Sequence, residues 1–396
     1  MRILISSESY WPNKDGGAVF EHALVHQLAQ CGHQVAVVAP GQRTVAYKQI
    51  DGPSTIYRTP SVRLPLNPVY KITYSAMPTV RRVIREFRPD VIHVNTMWLT
   101  GASLLKVARQ QGIPIVATNH LMPENVLLSL PGAVRNSAWL TNQFWRLLAR
   151  WHNKFDAVTS PTPSATRLLQ QHGLTKPLYD ISNGVDTVRY APPGGQAPRP
   201  GLLDQAGVAN DYAVYFGRVN KEKRLDMLVR GFAAIAGQTT ADLVIAGVGN
   251  AEETLAKLIT ELGLTKRVHL VGFVSDDDKV AIAQCARLFA ITSPAELQSI
   301  VCLEAMACGL PIVAVDVAAL SELCHDGQNG YLVRLDDVDG CGQAMLKLLC
   351  DPALRDQFGR YSRSFVAENH SFEATWRRFT RLYECATDGS FPVTLQ

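Results

Sequence analysis

The sequence predicts an α/β protein of two doubly wound domains with parallel sheets, and three observations lead there. Short β-branched runs alternate with helix-length amphipathic stretches along the whole chain, the pattern of strands wrapped by helices. The rhythm halts once, in the Pro/Gly-rich stretch Tyr190–Gly201, and then restarts. The length, 396 residues, suits two or three domains that each bury a core.

In the first half, Arg2–Ile5, Gln34–Val38, Val91–Val94, Ile113–Ala117 and Ala157–Ser160 read as strands, each bounded by Gly, Pro or polar residues. Between Val19 and Cys31 the apolar residues Val19, Ala23, Leu24 and Leu28 recur at helical spacing, and Gly32 supplies a stop. The second half repeats the pattern with Ala213–Phe216, Ala241–Ala246, Val268–Val271, Leu288–Ile291 and Pro311–Ala314. The expected organisation is a domain over 1–190, a linker over 191–201, a second domain over 202–370, and a final helix over 371–396 that crosses back to the first domain. Ligands of open α/β sheets gather beyond the carboxyl ends of the strands, so the strand-to-helix loops are where chemistry is expected.

Composition narrows the class. Hydrophobic residues make up 47% and charged ones 19%, which excludes a disordered or fibrous chain. The net charge of +4 hides a polarity: residues 1–192 carry 20 Lys+Arg against 10 Asp+Glu, and residues 193–396 carry 19 against 25. The eight cysteines form no CxxC pair and read as buried reduced thiols. MRILISSESY is too polar for a signal peptide, and no apolar run reaches the length of a membrane span, so any membrane contact is expected to be peripheral.

No GxGxxG run follows a strand, and no Walker lysine loop occurs, which argues against hydride transfer and P-loop chemistry. The segment SPAELQSIVCLEAMACGLP, residues 293–311, places Glu296 just after a strand and Glu304 within a helix that Gly309 stops. The amides around Leu297–Val301 would form the open N-terminus of that helix, a natural anion site. The plainer alternative makes Glu296 a cap and Glu304 a solvated residue. Leu303, Met306 and Ala307 oppose it, because a glutamate among apolar neighbours needs a partner. The triplet Asp276-Asp277-Asp278 could suggest a metal, but its place ahead of Lys279–Ile282 fits a helix start better. No residue is assigned to a metal.

The two glutamates followed by EAMACGLPIVA resemble the signature of family 4 retaining glycosyltransferases of the GT-B fold, in which two Rossmann-like domains face a deep cleft. Further landmarks of that family fall in order: Pro12 to Gly16-Gly17, Gly32-His33, Pro89–His93, Asn183–Asp186, Phe216-Gly217-Arg218 with Lys223, Gly247–Gly249, Val271–Val274 and Gly327–Gly330. The resemblance implies that Arg218 and Lys223 hold the diphosphate of a nucleotide sugar, together with Gly16, Gly17, Ser299 and Ile300. It gives Glu304 the ribose, Glu296 the sugar hydroxyls, Val271, Phe273 and Val274 the base, and His120 the reacting face. Fixed cations can stabilise a diphosphate leaving group, so no metal or other cofactor is expected. Ser299 stands where the family often has glycine.

Between Glu124 and Asp156 no acidic residue occurs, while Arg135, Arg146, Arg150 and Lys154 accompany Trp139, Trp145 and Trp151. On a helix Leu140, Phe144, Leu148, Trp151 and Phe155 share one face, which suits either an interface-lying segment or packing into the core. Arg81, Arg82, Arg85 and Arg88, with Lys71 earlier, add to the regional excess of positive charge. The stretch Asn119–Asn125 resembles the members of the family that glycosylate diacylglycerol. The expectation is a cytoplasmic hexosyltransferase, peripheral on the inner face of the cell membrane, moving a hexose from a nucleotide diphosphate sugar, with UDP favoured, to a lipid or glycolipid hydroxyl. No nucleic acid partner is expected. A water-soluble acceptor and a non-catalytic nucleotide-sugar-binding protein are the alternatives.

Overall fold

The computed structural model describes residues 1–13, 16–64, 67–95, 97–127, 137–195 and 199–395. Arg135 therefore lies outside the described residues. The chain divides into two compact units, one of residues 1–183 with the segment from Thr375 onward, the other Gly184–Ala374. The sequence placed the seam at 191–201. The division falls earlier because Val185 and Tyr190 are buried in the apolar core of the second unit.

The first unit holds strands β1 (Arg2–Ser6), β2 (Gln34–Pro40), β3 (Tyr47–Asp51), β4 (Ser54–Thr59), β5 (Ser61–Leu64), β6 (Asn67–Thr73), β7 (Val91–Val94), β8 (Ile115–Thr118), β9 (Ala157–Ser160) and β10 (Leu178–Asp180). Eight form one sheet in the order β10-β9-β8-β7-β1-β2-β4-β3. Every pairing is parallel except the edge hairpin β3–β4. β5 and β6 make a separate antiparallel ladder. The central strands are buried along nearly their whole length, as a parallel sheet covered on both faces requires. β3 to β6 and β10 escaped the sequence reading, although Asp51-Gly52 is a hairpin signal and Gly52 adopts the positive φ of 52° that such a turn needs. The final helix, Phe372–Asp388, buries Trp376, Phe379, Leu382 and Tyr383, and its Phe379 ring lies 6.0 Å from Phe20 and 5.4 Å from His93.

The second unit holds β11 (Tyr212–Phe216), β12 (Asp242–Ala246), β13 (Val268–Gly272), β14 (Leu288–Ile291), β15 (Ile312–Val315) and β16 (Gly330–Val333). Its sheet is wholly parallel in the order β13-β12-β11-β14-β15-β16, the doubly wound Rossmann arrangement. Both units thus have the Rossmann-like architecture that the sequence predicts.

All eight cysteines are free. Five are buried, Cys285 is half-buried, and Cys31 and Cys350 are exposed because each closes a helix at the surface, which corrects the expectation of uniform burial. Among the described residues no helix is long and apolar enough to cross a membrane.

Candidate active site

In the second unit strand order reverses between β11 and β14, so the loops leaving these two strands are the ones a ligand would meet. The loop after β11 is held largely by backbone hydrogen bonds, with the Tyr215 hydroxyl donating to Arg218 O at 2.9 Å. Gly217 N–H donates to Ala246 O at 2.9 Å, Val219 N–H to Val248 O at 3.0 Å, and Gly247 N–H to Gly272 O at 2.7 Å. A Cβ on Gly247 would stand 1.8 Å from Gly217 O, and one on Gly249 2.3 Å from Val219 O. The glycines that fail as a dinucleotide fingerprint therefore serve as a seam where two strand-end loops touch main chain to main chain.

Beyond this seam Lys221–Lys223 form one 3₁₀ turn, ending at Arg224 with φ 51°. The Thr292 hydroxyl, just past β14, donates to the carbonyls of Lys223 and Arg224 at 3.1 and 2.8 Å. That clamp sets Lys223 Nζ 2.6 Å from Glu296 Oε1, with side chains only 10% and 12% exposed. Two residues that the sequence assigned to different parts of a donor thus meet directly. Arg218 is 69% exposed, its nearest carboxylate being Glu222 at 3.8 Å, so its guanidinium is available to an anion.

The helix Ile300–Ala307 follows, capped by Ser299, whose Oγ accepts from Cys302 N–H at 3.3 Å. Its opening amides have no intrahelical acceptor, which makes this end a binding place for negative charge. Glu304 is buried on the same helix, its Oε1 2.9 Å from Lys279 Nζ. Burial pushes the Glu304 carboxyl above its usual range, against the pull of Lys279. The ammonium of Lys279 also lies 5.3 Å from the centre of the Tyr190 ring. Lys279 is a site residue that sequence reasoning missed. The demand of buried Glu304 for a cation was visible, but nothing local showed which cation would meet it.

Val271 and Val274 pack partly against the core, while Phe273 is 78% exposed. The acidic triplet opens the helix Asp276–Cys285. Ser275 is the cap, accepting from Asp278 N–H at 3.1 Å and donating to Asp278 Oδ2 at 2.6 Å, one residue ahead of the acidic run. Asp276 and Asp277 face Lys279 and Arg189.

The first unit also reverses strand order, between β1 and β7. A cavity of about 760 Å³ opens at the ends of β1, β7 and β8, lined mainly by Ile72, Met97, Trp98, Leu121, Leu148 and Trp151, with His120 and Asn95 among the polar groups. His120 Nε2 and both amide atoms of Asn95 are shielded from solvent and make no hydrogen bond among the described residues. Beneath it, His93 Nδ1 meets Tyr383 Oη at 2.8 Å and Nε2 meets Thr118 Oγ1 at 2.6 Å, tying the final helix to β8. Burial draws His93 down to about 3 and both His120 and His152 to about 4, with neighbouring imidazoles adding repulsion at His93 and His120. His120 is thus neutral at pH 7, suited to hydrogen bonding rather than to delivering a proton. Gly16 and Gly17 begin the helix Gly16–Gln30 of this unit.

The basic aromatic segment divides. A helix runs over Ala138–His152, and Trp145 is 1% exposed, its indole N–H donating to Glu124 Oε1 at 3.1 Å while its ring stacks on His172. Trp145 is therefore a core residue and not part of an interface, a correction that follows from its facing the sheet beside Leu148. Trp151 lines the cavity, whereas Trp139, Arg146 and Arg150 are exposed.

Residues 207–365 match the family described as glycosyl transferases group 1, and residues 14–189 match glycosyltransferase family 4. Between them the two matches take in most of the chain. A GDP-mannose-dependent α-mannosyltransferase of Corynebacterium glutamicum is 26% identical over 344 residues, 86% of this chain and 78% of the relative. The α-monoglucosyldiacylglycerol synthase of Acholeplasma laidlawii is 25% identical, covering 85% of this chain and 86% of its own length. Among solved structures, Anabaena HepE in complex with UDP and glucose superposes with a TM-score of 0.72 at 19% identity, over 97% of this chain and 99% of that one. That likeness identifies the fold as GT-B.

Proposed function

The chain belongs to glycosyltransferase family 4, and on that premise we propose that it moves a hexose, with retention, from a nucleotide diphosphate sugar to the hydroxyl of a lipid such as diacylglycerol or a glycolipid at a membrane surface. UDP is the favoured nucleotide. The observation that carries the acceptor is the cavity of the first unit, whose wall of Trp, Met, Leu and Ile suits an alkyl chain or glycerol backbone better than a bare sugar. His120 stands in it with an unpaired ring nitrogen for a hydroxyl.

In this reading the bond between the anomeric carbon and the phosphate oxygen breaks, and the acceptor oxygen bonds to the same face of that carbon. The acceptor proton passes to the departing phosphate. Arg218, Lys223 and the amides at Ser299 and Ile300 meet the charge that develops on the diphosphate. Glu296 accepts hydrogen bonds from sugar hydroxyls, Glu304 from the ribose, and the main chain of Val271–Val274 reads the base. The fixed cations are proposed to make a metal unnecessary for this step. The relative named for monoglucosyldiacylglycerol synthesis and the neighbour holding UDP support the acceptor and donor classes. Exposed Arg81, Arg82, Arg85, Arg146 and Arg150 support attraction to an anionic leaflet, at about 1 kcal/mol for each cation at its surface. A cytoplasmic-face location is part of the same proposal.

A second reading keeps the chemistry and gives it a water-soluble saccharide acceptor, which Glu8, Asn95 and Lys71 in the cavity lining would favour. Labelled UDP-sugars and GDP-mannose, incubated with anionic vesicles containing diacylglycerol, separate the two. Label extracted into organic solvent as an α-glycoside supports the lipid acceptor. Label held wholly in water-soluble product overturns it.

A further inference from the structure

The helix Gly16–Gln30 carries His22 and His26 four residues apart, hence on one face, and the end of β3 brings Asp51 to them. Asp51 Oδ2 lies 3.3 Å from His22 Nε2 and 3.5 Å from His26 Nε2, and the three atoms all lie within 4.8 Å of one another. None of the three residues lines the cavity described above.

Two features distinguish this from an ordinary His–Asp hydrogen bond. Both imidazoles converge on a single carboxylate oxygen at separations longer than well-formed hydrogen bonds, and His26 Nε2 is shielded from solvent with no hydrogen bond among the described residues. Those separations are, however, close to the edge of a tetrahedron whose ligands lie about 2.0–2.1 Å from a zinc ion, which is about 3.3 Å. We propose that His22, His26 and Asp51 bind a divalent transition ion of the zinc class, with water in the fourth position.

The surroundings are built for it. A Cβ on Gly52 would stand 2.8 Å from His26 Cε1, so the hairpin turn closes over the imidazole only because glycine is there. The buried Tyr10 hydroxyl donates to Asp51 Oδ2 at 3.2 Å, the kind of outer contact that orients a ligating carboxylate. The Trp11 ring covers His22 at 5.1 Å. The nearby Arg58 guanidinium does not pair with Asp51, being committed to Gln49 Oε1 and the carbonyls of Pro40 and Trp11. Bound metal would fasten the hairpin to the helix that Gly16 and Gly17 begin.

The full-length protein, stripped with chelator, should take up one equivalent of zinc by calorimetry at neutral pH and melt higher as zinc rises. Cobalt in its place should give the intense visible bands of a four-coordinate nitrogen and oxygen site. The His22→Gln/His26→Gln variant should lose both the uptake and the melting shift, and Asp51→Asn should weaken uptake. If the double variant does not fold by circular dichroism, His22→Gln alone carries the comparison. Absence of stoichiometric uptake, uptake unchanged in the variants, or a sulfur-to-cobalt band from Cys31 or Cys350 would each overturn the proposal.

Discussion

Replacing Lys223 by methionine removes the charge and keeps most of the stem. Its ammonium is 2.6 Å from Glu296 Oε1, with both side chains nearly buried, so the variant leaves a carboxylate without its counter-ion. Breaking such a pair from one side costs about 3–5 kcal/mol. In a unit of the size of Gly184–Ala374, each kcal/mol moves Tm by about 2–4 °C, so Lys223→Met should melt about 6–20 °C lower. Adding Glu296→Gln removes the stranded charge and should restore most of the loss. Transfer activity should return in neither variant, because the proposed diphosphate contact and the proposed sugar contact are still missing. Differential scanning fluorimetry reads both effects, with and without UDP. The wild type should be stabilised by the nucleotide, as any ligand of the folded state stabilises it. Lys223→Met should lose most of that shift, and Glu296→Gln alone should retain it. Equal melting of the single and double lysine variants would refute the pairing argument. An undiminished UDP shift in Lys223→Met would refute the donor assignment.

Gly247→Ala should destabilise the second unit by at least about 4 kcal/mol, seen as a fall in the urea midpoint, since its methyl would overlap Gly217 O and its φ of 145° suits only glycine. The first unit should weaken in acid. His93, His120 and His152 have folded values of about 3 to 4, below the 6.5 of a free imidazole, so the unfolded chain binds protons that the folded unit excludes. Stability should be full above pH 6.5 and fall between there and pH 4, by up to about 1.4 kcal/mol per pH unit for each histidine, and His152→Gln should flatten the urea-midpoint profile. Trp145→Ala should cost about 3–5 kcal/mol, whereas Trp139→Ala, 67% exposed in the native state, should leave stability within about 0.5 kcal/mol and reduce flotation with anionic vesicles.

Much of the fold was legible because burial in a parallel sheet writes itself into the chain as unbroken β-branched runs. β1, β2, β7, β8, β9 and, in the second unit, β11 to β15 fall within a residue or two of where those runs place them, whereas β16 was not foreseen. Among the strands that were missed, β3 is half-exposed and polar, as in YKQID, the buried β4 reads STIYRT with polar residues breaking its apolar run, and β10 and β16 are only three and four residues long, so no unbroken apolar run announced them. The basic aromatic segment shows the limit of helical periodicity. Spacing set Leu148 and Phe155 on one face, but Trp145 lay beyond the stripe and its partners Glu124 and His172 are distant in sequence.

The sequence by itself determined the class of catalyst, because ordered motifs such as the two glutamates, Phe216-Gly217-Arg218 and Gly247–Gly249 are local strings that a single pass can read. Only the tertiary structure decided which charges meet. Lys223 with Glu296, Lys279 with Glu304, and Asp51 with His22 and His26 are joined across 73, 25 and up to 29 residues of chain, by strand order, a hydroxyl clamp and a glycine turn. A charge carries no record in the sequence of its eventual counter-ion. The low-dielectric interior makes that pairing costly to leave unmade, and the fold supplies it.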